Sequence, residues 1–176
     1  MFSRPILCAS TLILASASAC AQQLPALDGT ALSGDRVMFP DALRGHASVL
    51  IVSFSQSARD NVTAWYRRVN SDFKSSPAVL YYEMPMLGGA PGFLRGAIVK
   101  KIKQDVAAPA QPHFVPVLDH EDQWKTVCGW SKQLPEDHTY ILLVDGTGQV
   151  RFHAEYAAPT DQSYADLKQR LLALKP

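Results

Sequence analysis

Residues 47–61, ASVLIVSFSQSARDN, decide the fold of this chain. From 48 to 54 the run is rich in β-branched residues and almost continuously apolar, the pattern of a central strand buried on both faces. Polar residues enter at Ser55, Gln56 and Ser57, and the next apolar positions, Val62, Trp65, Val69 and Phe73, fall at helical spacing. The spacing predicts an amphipathic helix over about 60–74. Ser75-Ser76-Pro77 ends it, and 78–83, AVLYYE, reads as a second strand. The unit is strand, helix, strand.

Upstream, Asp28-Gly29 and Ser33-Gly34-Asp35 place turn signals among short apolar pieces, predicting an N-terminal β-hairpin within 24–46 and a short helical turn at 41–44. Downstream, 84–92 is a Pro/Gly-rich loop. Leu94, Ile98 and Ile102 then mark a second helix, with Arg95, Lys100, Lys101 and Lys103 on its other faces. Residues 107–112 read as a linker, 114–118 as an edge strand interrupted by Pro116, and 121–130 as a short helix. The end of the chain is the clearest part. A strand at 139–145, a turn at Asp145-Gly146-Thr147-Gly148 and a partner strand at 149–156 precede a helix at 161–174 with Tyr164, Leu167, Leu171 and Leu174 on one stripe. These elements predict an α/β fold, a central mixed sheet flanked by helices with an N-terminal β-hairpin.

Residues 1–21 have the form of an export signal: Arg4 as the basic start, an apolar run, then Ala-Ser-Ala-Cys-Ala. Two processing routes are open. Cleavage after Ala21 frees a soluble domain of residues 22–176, whereas a lipobox reading of Ala17-Ser18-Ala19-Cys20 makes Cys20 a lipid-modified anchor. Either route places the domain outside the cytoplasm, in the periplasm. Loss of the signal removes Arg4 and no carboxylate, so a chain of 17 basic and 16 acidic residues becomes balanced. That balance gives no footprint for a nucleic-acid partner.

No cysteine lies between Cys20 and Cys128. With Cys8 and Cys20 in the leader, Cys128 stands alone and no disulfide is expected within the mature chain.

Several further motifs narrow the reading: Ser53-Phe54-Ser55 entering a helix with Trp65, Tyr82-Glu83-Met84-Pro85, Phe93-Leu94-Arg95-Gly96-Ala97-Ile98, Phe114-Val115-Pro116, Trp124, and TYILLVDGTGQVRF at 139–152. Together they resemble the thioredoxin-like superfamily, and within it bacterial relatives of the family of the mitochondrial assembly factor for the membrane sector of ATP synthase. The resemblance implies a thioredoxin-like fold without a dithiol, and work in binding or assembly. Redox members carry C-x-x-C at the first strand–helix junction. Here the corresponding slots fall on Ala58 and Asn61, or on Arg59 and Val62, and neither register supplies a sulfur.

Dithiol exchange needs an attacking thiolate and a second thiol to resolve the mixed disulfide. No catalytic residue, cofactor or metal is therefore expected. His113 and His120 are seven residues apart and lack a ligand constellation, and Asp119-His120-Glu121-Asp122 does not gather ligands on one face. The alternative to a binding protein is a single-cysteine thiol enzyme, peroxidase-like, working through Cys128 with Lys125 lowering its pKa. The expected partner is a protein, with a membrane complex as the candidate. The contact residues expected for it are Ser57, Arg59 and Asp60 at the junction, Met84, Pro85 and Met86 in the loop, and Arg95 beyond it.

Overall fold

The computed structural model describes residues 22–174. Residues 1–21, on which the expected export signal, Cys8, Cys20 and both processing routes fall, lie outside the described residues. In chain order the strands are β1 (Gln22–Gln23), β2 (Leu27–Thr30), β3 (Arg36–Phe39), β4 (Ala47–Ser53), β5 (Val79–Pro85), β6 (Thr139–Val144) and β7 (Gln149–Tyr156). The helices are α1 (Arg59–Phe73), α2 (Gly92–Asp105), α3 (Glu121–Cys128) and α4 (Asp161–Ala173), with 3-10 turns at Asp41–Leu43, Gln56–Ala58 and Ala108–His113.

The main sheet has the order β1-β7-β6-β4-β5, and β2 pairs with β3 in a separate hairpin. β4 runs parallel to β5 and antiparallel to β6, so the sheet is mixed. All seven residues of β4 are buried. Its side chains divide by the period of the pleat. Val49 and Ile51 join Val62, Trp65, Val69 and Phe73 of α1 and Leu167 and Leu171 of α4 on one face. Leu50 and Val52 join Phe39 of the hairpin and Trp124 of α3 on the other. Each large side chain withdrawn from water contributes about 1.5–3 kcal/mol, so this double coverage is the main stabilising term of the fold. A polar tie accompanies it: Trp65 Nε1 donates to the Ala157 carbonyl at 2.9 Å, joining α1 to the segment before α4.

The expected central mixed sheet, flanking helices and N-terminal hairpin are all present. Several local readings change. Asp28-Gly29 is not a turn but part of β2, where a Cβ on Gly29 would stand 2.9 Å from Val115 Cγ1. The hairpin reverses instead around Gly34, at φ 107. β1 was not foreseen, because two polar residues carry no periodicity; it exists through pairing with β7. The 107–112 segment is largely a 3-10 turn. Residues 114–117 do follow the β5 edge, Val115 N–H donating to Glu83 O at 2.8 Å and Val117 N–H to Pro85 O at 2.9 Å across the Pro116 interruption. α3 stops at Cys128, short of Trp130, because Gly129 takes φ 67, a left-handed conformation that glycine adopts without strain.

The β6–β7 turn is held by Asp145. Its carboxylate accepts from Thr147 N–H at 2.9 Å, Thr147 Oγ1 at 2.6 Å and Gln149 N–H at 3.1 Å, and it pairs with Arg151. Burial alone would raise this carboxyl, whose side chain is only 13% exposed. The hydrogen bonds from Thr147, Arg151 and Gln149 outweigh burial and bring it from 3.8 down to about 2. The stabilisation is therefore complete above pH 4 and is lost as pH falls towards 2. Replacing Asp145 with Asn is expected to cost roughly 1–3 kcal/mol at pH 7 and to remove that part of the acid dependence, read from urea unfolding at pH 7, 4 and 2.5.

Candidate functional site

The end of β4 delivers Phe54 and Ser55 to the sheet edge, where the chain turns through Gln56–Ala58 into α1. Ser55 Oγ accepts from Ser57 N–H at 3.2 Å, and the two hydroxyls lie 2.8 Å apart. The helix opens at Arg59. Of the slots named above, Ala58 and Val62 are buried, Arg59 is exposed, and Asn61 Nδ2 donates to the Asp137 carbonyl at 2.7 Å. That last bond draws the segment preceding β6 against the start of α1.

A groove of about 450 Å³ opens between these parts. Phe54, Trp130 and Tyr140 form its aromatic wall, Leu134 and Pro135 add apolar surface, and His138 lines it as well. Phe54 meets Tyr140 edge-on at 5.2 Å between ring centroids and Trp130 at 6.3 Å. Lys125 Nζ sits 4.8 Å from the Trp130 ring centroid while pairing with Glu121 at 2.7 Å, so the indole is held from behind. His138 Nδ1 is buried without a hydrogen-bond partner. The groove therefore offers aromatic and apolar contact area beside the polar side chains of Ser55, Ser131, Lys132 and Glu136.

The expected contact residues fall into three groups. Ser57, Arg59 and Asp60 are exposed together on the turn into α1. Met84, Pro85 and Met86 lie at the neighbouring strand end, Pro85 in register with Ser53, but both methionines are core residues with no thioether offered to solvent. Arg95 is drawn into a clamp, donating to the carbonyls of Gly88 at 2.6 Å, Ala90 at 3.0 Å and Leu118 at 2.9 Å. Its guanidinium holds the 84–92 loop against the start of α2. Phe54 and Tyr140 enter the sequence motifs only as parts of Ser53-Phe54-Ser55 and the 139–152 run, and Trp130 and Leu134 are not among the contact residues expected from the sequence. The position of His138 just before β6 was the available signal.

Cys128 is buried in the hairpin-side cluster. Burial pushes its thiol well above the ordinary range, the opposite of the shift that Lys125 was expected to provide. His113, weighed as a ligand, stacks on Tyr81 at 4.3 Å between ring centroids, its Nδ1 3.1 Å from the Tyr81 carbonyl. Among the described residues no group of three or more His, Cys, Asp or Glu side chains is placed to hold a metal ion.

Glu83 was not singled out as a site residue. It shares the α1-facing side of β5 with Val79 and Tyr81, near Arg59, which is itself engaged with Asp105 at 3.4 Å. Burial raises the Glu83 carboxyl from 4.5 to about 7, with Arg59 pulling it back only in part. The folded state therefore binds this proton more tightly than the unfolded chain, so stability falls as pH rises from about 4.5 through 7. Glu83→Gln is expected to flatten that decline and to gain roughly 1–3 kcal/mol at pH 8, measured by denaturant unfolding across pH 4.5–8. Cys128 is expected to resist Ellman's reagent in the native protein and to react at once in urea.

No protein-family model matches the chain, and no curated protein matches it in sequence. Solved structures do match. Thiol:disulfide interchange protein DsbE from Chlorobium tepidum superposes with a TM-score of 0.57 at 14% identity, over 89% of this chain and 97% of that one. BsSco, a member of the Sco family of cytochrome c oxidase assembly proteins, gives 0.59 at 11% identity, over 89% and 95%. The exposed lipoprotein thioredoxin Etrx1 from Streptococcus pneumoniae gives 0.58 at 12% identity, over 85% and 100%. These likenesses, with the strand order and the flanking helices, identify the chain as a thioredoxin-like fold.

Proposed function

We propose that this protein is an exported, redox-inactive member of the thioredoxin-like superfamily that binds a protein partner through the groove at the β4–α1 edge and assists assembly of a membrane complex. The observation that carries the reading is the conjunction at one edge. The junction that holds a dithiol in redox members has none here, while the same end of the sheet presents an open groove walled by Phe54, Trp130 and Tyr140. Ser55, Ser131, Lys132 and Glu136 supply polar groups along the groove, and Ser57, Arg59 and Asp60 are exposed on the turn that follows Ser55.

Export is supported by the form of residues 1–21, and a membrane-surface setting by the lipoprotein among the structural neighbours. An assembly role is supported by the motifs shared with the ATP synthase assembly-factor family and by the Sco-family neighbour, itself described as an assembly protein. The single-thiol alternative has no support from Cys128, whose sulfur is buried and held protonated.

The test is site-specific photo-cross-linking in the native cell envelope, with the cross-linker at Lys132 or Leu134 on the groove and at Lys74 as a remote control. The groove positions are expected to give one discrete adduct with a membrane-complex subunit. Trp130→Ala should weaken it about 30-fold, the effect of truncating a central aromatic anchor. Cys128→Ser should leave it unchanged. Absence of a groove-specific adduct, or its loss in Cys128→Ser with the fold intact by circular dichroism, sinks the reading.

A further inference from the structure

α2 is attached to the domain differently from α1, α3 and α4. Each of those three helices buries apolar side chains, whereas no residue of α2 is buried. Its inward side, Arg95, Ile98, Val99 and Ile102, is half-buried. Polar ties secure both ends: the Arg95 clamp at the start, Asp105 to Arg59 at the finish, and Gln111 Nε2 donating to the carbonyls of Lys103 at 3.3 Å and Val106 at 3.1 Å.

The outward side combines two features that seldom share a solvated helix. Phe93 is 85% exposed and Leu94 42%, and Leu118, whose carbonyl Arg95 holds, is exposed at the same end. At 100° per residue, Phe93, Ala97, Lys100 and Gln104 align, with Lys101 and Lys103 on either flank. Among the described residues Lys100 and Lys103 pair with no carboxylate, and Lys101 reaches Asp105 only at 3.9 Å. A bulky aromatic at one end of a cationic face suits an interface that is apolar below and anionic above.

We propose that α2 is a membrane-docking helix, which lies on an anionic phospholipid surface with Phe93 and Leu94 inserted at the acyl boundary and Lys100, Lys101 and Lys103 over the headgroups. Charge complementarity selects this occupant: the exposed face carries three cations, the one carboxylate of α2 is Asp105 at its last position, already engaged with Arg59 at 3.4 Å, and the apolar residues sit at the helix tip rather than along a stripe that a second helix would cover. The inference rests on the membrane-surface reading for its setting and adds to it the surface that makes contact. It leaves the groove free for its partner.

The test uses the protein from Gln22 onward, which contains both core clusters and every described strand and helix, and so carries no leader to bind lipid on its own. Sedimentation is measured with vesicles of phosphatidylcholine alone and with 30% phosphatidylglycerol, at 25 and 300 mM salt. Binding is expected only with phosphatidylglycerol and is expected to weaken in high salt. Lys100→Gln with Lys103→Gln should weaken it on the order of 25-fold, about five-fold per lysine near an anionic surface. Phe93→Asp should weaken it about ten-fold, whereas Arg67→Gln with Lys74→Gln, which removes the same two charges as the α2 lysine pair but from another face, should leave binding nearly unchanged. Circular dichroism confirms the fold of each variant. Equal binding to both vesicle types, equal loss in the two lysine and arginine pairs, or self-association through α2 without lipid binding overturns the proposal. Groove cross-linking does not involve these lysines, so each reading fails on its own experiment.

Discussion

The structure depends on one constraint, the burial of β4 on both faces. Seven consecutive residues with no polar face cannot lie at an edge, so the strand must be flanked by β5 and β6 and covered from above and below. Everything else answers that demand. α1 and α4 cover one face; the hairpin and α3 cover the other. The end of β4 then emerges at an edge where the turn into α1 and the segment before β6 are brought together by Asn61 and Asp137.

The junction at that end of the sheet carries no thiol. A thiol reacts as a thiolate, and a thiolate needs solvent or a nearby positive charge. Cys128 lies in the core, where desolvation stabilises the neutral form, and the exposed junction carries serine, arginine and aspartate. What that end of the sheet offers is shape. Phe54 packs against both Trp130 and Tyr140 at aromatic contact distances, which orders the wall and restricts its side chains.

Polar atoms in the same region divide into those that organise the fold and those left open. Arg95 is saturated by three carbonyls, and Asp145 by a turn and an arginine. Glu83 and His138 are not matched in this way. Buried polar groups without full compensation oppose folding. Trp124 Nε1 and Thr139 Oγ1, neither of which lines the groove, are buried without a partner as His138 Nδ1 is. α2 expresses a related economy: fastened by its ends, it leaves its outer face outside the core.

The sequence by itself determined the elements and their order, because the periods 2 and 3.6 and the Gly/Pro turn chemistry are local properties. The uninterrupted apolar run at β4, the stripe Val62-Trp65-Val69-Phe73 and the turn at Asp145–Gly148 each specify an element without knowledge of its neighbours. The missing dithiol was equally legible, since an absent sulfur needs no coordinates. Tertiary structure alone decided which residues meet. β1 forms only because β7 offers a strand edge. Met84 and Met86 look like loop residues beside two prolines and glycines, yet they enter the core because β5 extends to Pro85 and the hairpin covers its end. The groove joins Phe54, Trp130 and His138 from three separate segments, and Trp130 reaches it because Gly129 ends α3 in a left-handed turn. Local pattern encodes burial along an element; which side chains share a cavity is set by contacts between residues far apart in the chain, and no periodicity records them.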